Sequence, residues 1–264
     1  QEFVNSFRTS GGLPLLDNSY NNSPVLNDQG LAIDDASYVE DPGPLDPRLD
    51  WTVGRRGIPY LDWGDHTGQD WIRDQSYAGP FSPKKQVYKQ SQEGQLTEVG
   101  NWTSGYTANG YRMIRFADVL LLKAEAEAVT GSDDRGFGEV NRIRARAANA
   151  AGFVKEADGT TNAANYVINP YDQATYDADP IAAIQMERKL ELGMEGHRYY
   201  DLQRWDAAGA IDLVTELNRA LTYEKTMPWA DAAYGGTTVG AEDKNYPIPQ
   251  RQIDLANGNL TQRQ

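Results

Sequence analysis

Glu187, Glu191 and Glu195 recur every four residues, a spacing that stacks three carboxylates on one face of a helix. Two carboxylates facing a cleft are the machinery of glycoside hydrolysis, one as proton donor and the other as base or nucleophile. The donor needs a raised pKa. Here arginines interleave instead: Arg188–Glu191, Glu195–Arg198, Arg198–Asp201 and Asp201–Arg204 each stand three apart. Guanidinium neighbours lower carboxylate pKa values. The segment therefore reads as a carboxylate–guanidinium lattice that fixes helix packing, and no catalytic residue is assigned from it.

The two histidines, His66 and His197, are far apart and match no metal-ligand spacing. His197 reads as a packed helix residue. With no cysteine there is no disulfide, thiolate zinc site or thiol nucleophile. No nucleophile elbow, P-loop or dinucleotide fingerprint is present, so no metal or cofactor is expected.

A different chemistry is concentrated near the N-terminal side. The fifteen residues Asp50 to Gly64 hold Trp51, Arg55, Arg56, Tyr60, Asp62 and Trp63, with glycines at 54, 57 and 64. Flat rings take the C–H faces of neutral sugars, and carboxylates, amides and guanidinium groups bond their hydroxyls. Trp71, Tyr77 and Trp102 extend this candidate ligand-binding set. Arg55 and Arg56 either favour an acidic or sulfated sugar or pair with Asp50 and Asp62. The competing reading is that these rings only anchor long loops to the helices behind them, since tryptophan is mostly buried.

The elements that must position these residues fall in two stretches. Residues 1–110 are loop-like, punctuated by Gly11-Gly12, Pro42-Gly43-Pro44 and Gly79-Pro80, yet carry four of six tryptophans. A disordered segment is poor in aromatics, so these are ordered loops, with a short strand at Leu49–Val53. Residues 111–264 are mainly helical. Ile114, Ala117, Leu121 and Ala124 share one helix face, capped by Gly131. A second helix runs from about Phe137 to Ala150 with Val140, Ile143 and Ala147 inward, making an antiparallel hairpin of tetratricopeptide type. Residues 153–179 read as a surface excursion. Asp179-Pro180 starts a helix with Ala183, Met186, Leu190 and Met194 on one face. Another helix spans about Ala208 to Leu221, Trp205 reads as core, and the tail from 222 reads as irregular, with Tyr246 to Pro249 extended. The two stretches together are expected to form one domain, mostly α, with long aromatic-rich loops and little β.

The 264 residues are 39% hydrophobic, enough for a real core. The formal net charge of −13 argues against nucleic acid as a partner and gives no attraction to an anionic membrane surface. No run of 18 apolar residues exists. The opening Gln1-Glu2-Phe3, without Met, reads as a processed or trimmed product.

Tyr111 to Ala126, with Arg115-Phe116-Ala117-Asp118-Val119-Leu120-Leu121, resembles a signature helix of SusD/RagB-type proteins. Val140 to Ala147 is similar to that family's next helix. Glu187-Arg188-Lys189-Leu190-Glu191-Leu192, followed by Glu195-Gly196-His197-Arg198 and Asp201-Leu202-Gln203-Arg204-Trp205, resembles a third family segment. Asp46-Pro47-Arg48-Leu49 and Tyr246-Pro247-Ile248-Pro249-Gln250 resemble two more, so the likeness covers about residues 46–262, the C-terminal portion of such proteins. The resemblance implies a helical scaffold of tetratricopeptide units and a non-catalytic lipoprotein on the extracellular face of the outer membrane. It implies an oligosaccharide or polysaccharide ligand, a SusC-like TonB-dependent transporter as partner, and membrane association only through a lipid anchor absent from this chain. Some members of the family take peptides or other nutrients. A glycan-acting enzyme and a purely structural helical-repeat module are the readings from other classes.

Overall fold

A computed structural model describes residues 1–100, 103–132 and 134–262. Among these, eleven α-helices stand against three two-stranded antiparallel ribbons, so the fold is helix-dominated as the sequence reads. The chain divides into two compact units, Gln1–Arg198 and Tyr199–Gln264.

The first unit holds α1 (Glu2–Asn5), α2 (Leu49–Thr52), α3 (Gln75–Ala78), α4 (Phe116–Thr130), α5 (Phe137–Ala147), α6 (Gln173–Ala178) and α7 (Pro180–Glu191). Its ribbons pair β1 (Thr9–Ser10) with β2 (Leu13–Pro14), β3 (Val53–Gly54) with β4 (Ser82–Pro83), and β5 (Thr97–Gly100) with β6 (Thr103–Thr107). Gly131 ends α4 in the left-handed conformation, and its N–H bonds the Glu127 carbonyl. Leu121 and Ala124 of α4 and Val140 and Ile143 of α5 meet Ala183 and Ile184 of α7 in one buried cluster. Each leucine or isoleucine buried there contributes roughly 2 kcal/mol. The Asp179 carboxylate accepts from the N–H of Ala182 at 2.9 Å and Pro180 takes the first helical position, so α7 starts where the sequence places it.

Several expectations are corrected. Ile114 is 71% exposed and precedes α4, because Arg115 is extended and the helix begins at Phe116. Helix α7 stops at Glu191, so Met194 and Glu195 lie in the turn after it. Met194 adopts a left-handed φ of 63° and is exposed. His197 likewise sits between helices. Residues 49–52 are a helical turn and no strand. The Asp46 carboxylate accepts from the Arg48 N–H and the Asp46 carbonyl from that of Leu49, both at 3.0 Å, which starts the turn before β-propensity can act.

Residues 153–179 are no surface excursion. Val154, Ala163, Tyr166, Tyr171 and Tyr176 are buried, and Leu45 exchanges backbone hydrogen bonds of 2.9 Å with Asn165 and Val167. Tyrosines bury when their hydroxyls find partners. Tyr166 donates to Asp50 at 2.7 Å and Tyr176 to the Arg135 carbonyl at 2.9 Å.

The second unit contains α8 (Arg198–Ala207), which opens at the boundary, then α9 (Leu213–Glu224), α10 (Ala230–Ala233) and α11 (Gln250–Leu255). Leu202, Trp205 and Leu213 form its small core, which confirms Trp205 as a core residue. Helix α9 starts five residues later than the sequence reading because Asp212 caps it, accepting from Thr215 N at 2.7 Å. The tail carries short helices where the sequence reads as irregular, although Tyr246 to Pro249 are non-helical as expected. No helix among the described residues is long and apolar enough to cross a membrane.

Candidate functional site

The β3–β4 ribbon brings the two ends of the aromatic loop together: Val53 pairs with Pro83 and Gly54 with Ser82. Gly54 has no room for a side chain, because a Cβ there would lie 2.6 Å from the Tyr60 ring. Tyr60 therefore packs directly on the ribbon backbone and its hydroxyl donates to the Pro83 carbonyl. Its ring meets Trp71 edge-to-face with centroids 5.6 Å apart. His66 completes the group at 5.5 Å from Tyr60 and 5.1 Å from Trp71.

Lys84 follows β4 and points its ammonium between two rings. It lies 5.6 Å from the Trp51 centroid and 5.8 Å from that of Tyr60, and donates to the Pro59 carbonyl at 2.6 Å. Burial, reinforced by the Arg55 charge, outweighs attraction to Asp50 and brings its pKa down to about 8. Burial and the nearby Lys84 charge bring His66 down to about 4, so its ring is neutral near pH 7. Its Nδ1 accepts from Gly68 N at 3.0 Å, and Nε2 lies 2.9 Å from the Ser82 hydroxyl.

Trp51, Lys84, Tyr60 and Trp71 thus form a continuous run. Trp51 is 47% exposed and Trp71 40%, while each is fixed behind. The Trp51 indole N–H donates to Gly152 O at 2.8 Å, leaving the ring as its free surface. Trp63 is half-buried, bonded to the Tyr88 carbonyl at 2.9 Å and stacked edge-to-face on the Tyr88 ring. Tyr77 is exposed on α3. Asp62 is spent on tying its loop to the turn after β4, accepting from the N–H groups of Gln90 and Ser91 at 2.6 and 3.1 Å. Arg55 is buried and bonded to Asp50 through two nitrogens at 2.7 and 2.9 Å, so it reaches no solvent. Arg56 binds the carbonyls of Ala32 and Ile33 and lies over the Tyr38 ring; it pairs with neither Asp50 nor Asp62. Trp102 lies outside the described residues.

The acidic segment of α7 forms the lattice the sequence indicates, but with different arginines. Glu187 is bonded by Arg48 and Arg144, and both carboxylate oxygens of Glu191 are engaged by Arg48, Arg115 and Arg146. Glu195 binds Arg115 and Lys85, each at 2.7 Å. Arg188 reaches Asp118 of α4, and of the proposed i,i+3 pairs the Asp201–Arg204 bridge forms at 3.0 Å. Burial alone would raise the Glu191 pKa; Arg48, Arg146 and Arg115 override it and hold the group at about 2. Burial likewise opposes the net lowering of Glu195 by Arg115 and Lys85. Neither group can hold a proton at neutral pH, so neither serves as a general acid.

The family model of the SusD family matches residues 1–264. The chain belongs to the SusD family. No curated protein matches it. A solved SusD superfamily protein from Bacteroides vulgatus is similar over 80% of this chain at 20% identity, with a TM-score of 0.43. This SusD-family chain spans 38% of the length of that structure. The motif residues that carry the family likeness, Arg48, Arg115, Arg144, Glu187 and Glu191, are the residues of the buried lattice. The aromatic run stands on other positions.

Proposed function

We propose that this SusD-family chain belongs to a cell-surface protein that captures oligosaccharides without chemistry and delivers them to a SusC-like TonB-dependent transporter in the outer membrane. The observation that carries the reading is the run from Trp51 to Trp71, where rings too exposed to serve the core are held rigidly from behind. Rings fixed in advance lose little entropy on contact with a sugar face. The lattice supports the non-catalytic part, because the arginines around Glu191 and Glu195 hold both groups below the ordinary carboxylate range, the opposite of what a general acid needs.

Calorimetric titration of the chain with a panel of polysaccharides and oligosaccharides tests the proposal. Saturable binding of at least one saccharide is expected, with no new reducing ends. Binding of peptides and of no saccharide would overturn the glycan assignment, and turnover of a bound saccharide would overturn the non-catalytic one.

A further inference from the structure

Beside the Trp51 ring, a cleft of about 170 Å³ opens onto the edge of the lattice. Its walls include Trp51, Arg112, Arg115, Arg146, Glu191 and Glu195, with Lys85 at the side. The charges there do not cancel. Arg48, Arg144, Lys85, Arg112, Arg115 and Arg146 gather around four carboxylates, Asp46, Glu187, Glu191 and Glu195, leaving an excess of two positive charges. That excess stands in a chain whose formal net charge is −13.

It is also accessible. Arg112 is exposed and has no ion-pair partner among the described residues. The Arg146 side chain is 61% exposed even though one of its nitrogens holds Glu191. Arg115 is committed through Nε to Glu195 and through Nη1 and Nη2 to the carboxylate and carbonyl of Glu191, so it contributes its charge and leaves the donor edge to its neighbours. The exposed guanidinium groups of Arg112 and Arg146 offer the planar, two-donor edge that matches a carboxylate or sulfate.

We infer that this cleft binds the acidic group, carboxylate or sulfate, of an anionic saccharide unit whose ring stacks on Trp51. The inference rests on the saccharide-capture reading and narrows its substrate class to charged glycans. The selecting groups are Arg112 and Arg146, which come from the residues before α4 and from the end of α5. Arg55 and Arg56, the arginines adjacent to the aromatic residues in sequence, are committed to Asp50 and to backbone carbonyls.

The test compares three oligosaccharides of equal length by calorimetry: a uronate oligomer, a sulfated oligomer and their neutral counterpart. At least one acidic oligomer is expected to bind about tenfold tighter than the neutral one, and added salt should shrink that preference. Arg112→Ala, a substitution of an exposed side chain, should erase the preference and leave both the melting temperature and neutral-oligomer binding unchanged. Equal affinities for acidic and neutral oligomers, or a preference untouched by Arg112→Ala, would overturn the inference while leaving saccharide capture intact. Inorganic sulfate bound in an Arg112-dependent way by a chain that binds no saccharide would retain the anion site and overturn saccharide capture.

Discussion

Arg115, the residue before α4, donates from Nε to the carboxylate of Glu195, 80 positions further along the chain, at 2.7 Å. The same guanidinium reaches Glu191 through Nη1, also at 2.7 Å. Helix spacing suggests that these glutamates are neutralised by arginines of their own segment. They are neutralised from α5, from the turn at Arg48 and from the entry to α4, so the lattice ties together elements distant in sequence. A buried charge network of this kind adds little net stability over an apolar core, but losing one member leaves the others uncompensated.

Replacing Glu191 by Gln is therefore expected to cost about 3–5 kcal/mol of unfolding free energy, because Arg48, Arg115 and Arg146 lose their shared counter-charge. Urea denaturation of the two proteins at pH 7 measures it. A loss below 1 kcal/mol would mean that solvent already screens the cluster.

Acid should act through two groups in separate windows. The folded pKa of His66, about 4, lies below its ordinary 6.5, so the unfolded chain takes up a proton that the fold refuses. Stability then falls as pH drops from about 6.5 towards 4, by about 2–3 kcal/mol in total, and levels off below that. Glu191, held at about 2 against an ordinary 4.5, contributes stability that is complete above about 4.5 and lost as pH falls towards 2. Unfolding free energy measured every half pH unit, for this chain and for His66→Gln, separates the two. The variant should lose the upper slope and keep the lower one, and a His66 imidazole titrating near 6.5 by NMR would refute the account.

How much of this was legible in the sequence depended on the range of the interaction. Helices α4, α5 and α7, the Gly131 cap and the Asp179-Pro180 start are written in local period and local capping, and the structure keeps them. Ile114 and Met194 fit the same period but fall outside the helices, since periodicity carries no information about where a helix stops. The stretch from 153 to 179 departs from its sequence reading for a related reason: its polar composition suggests solvent, whereas Tyr166 and Tyr176 are buried with hydroxyl partners elsewhere in the chain, Asp50 and the Arg135 carbonyl. The aromatic run was partly legible. Trp51, Tyr60 and Trp71 were marked by composition, whereas Lys84 and His66, which hold them in place, carry no local signal beyond their residue type.

The α4–α5 turn offers a test of steric fit against backbone preference alone. Gly131 and Gly136 both have positive φ, 73° and 84°. A Cβ on Gly131 would meet open space, whereas one on Gly136 would lie 2.5 Å from the Ala124 carbonyl oxygen. Gly131→Ala should therefore cost about 1 kcal/mol, the left-handed penalty alone. Gly136→Ala should cost more than twice as much, because α5 must also move off α4. Equal losses in thermal unfolding would show that the hairpin adjusts freely.

Trp51, Trp71 and Trp205 are the same residue type in two situations, half-exposed and buried, which separates binding from folding. Trp205 is 3% exposed in the core of the second unit, and Trp205→Ala should cost about 3–5 kcal/mol of stability. Trp51 and Trp71 are half-exposed, so Trp51→Ala and Trp71→Ala should move the melting temperature little. If these rings face ligand, each substitution lowers saccharide affinity by about tenfold, the scale of a lost ring contact. Trp51→Phe keeps a flat face but loses the hydrogen bond to Gly152 O, and should recover part of that loss. Calorimetry of all four variants against one bound saccharide decides the matter. Unchanged affinity in both Trp51→Ala and Trp71→Ala would show that the rings only cover the loops beneath them.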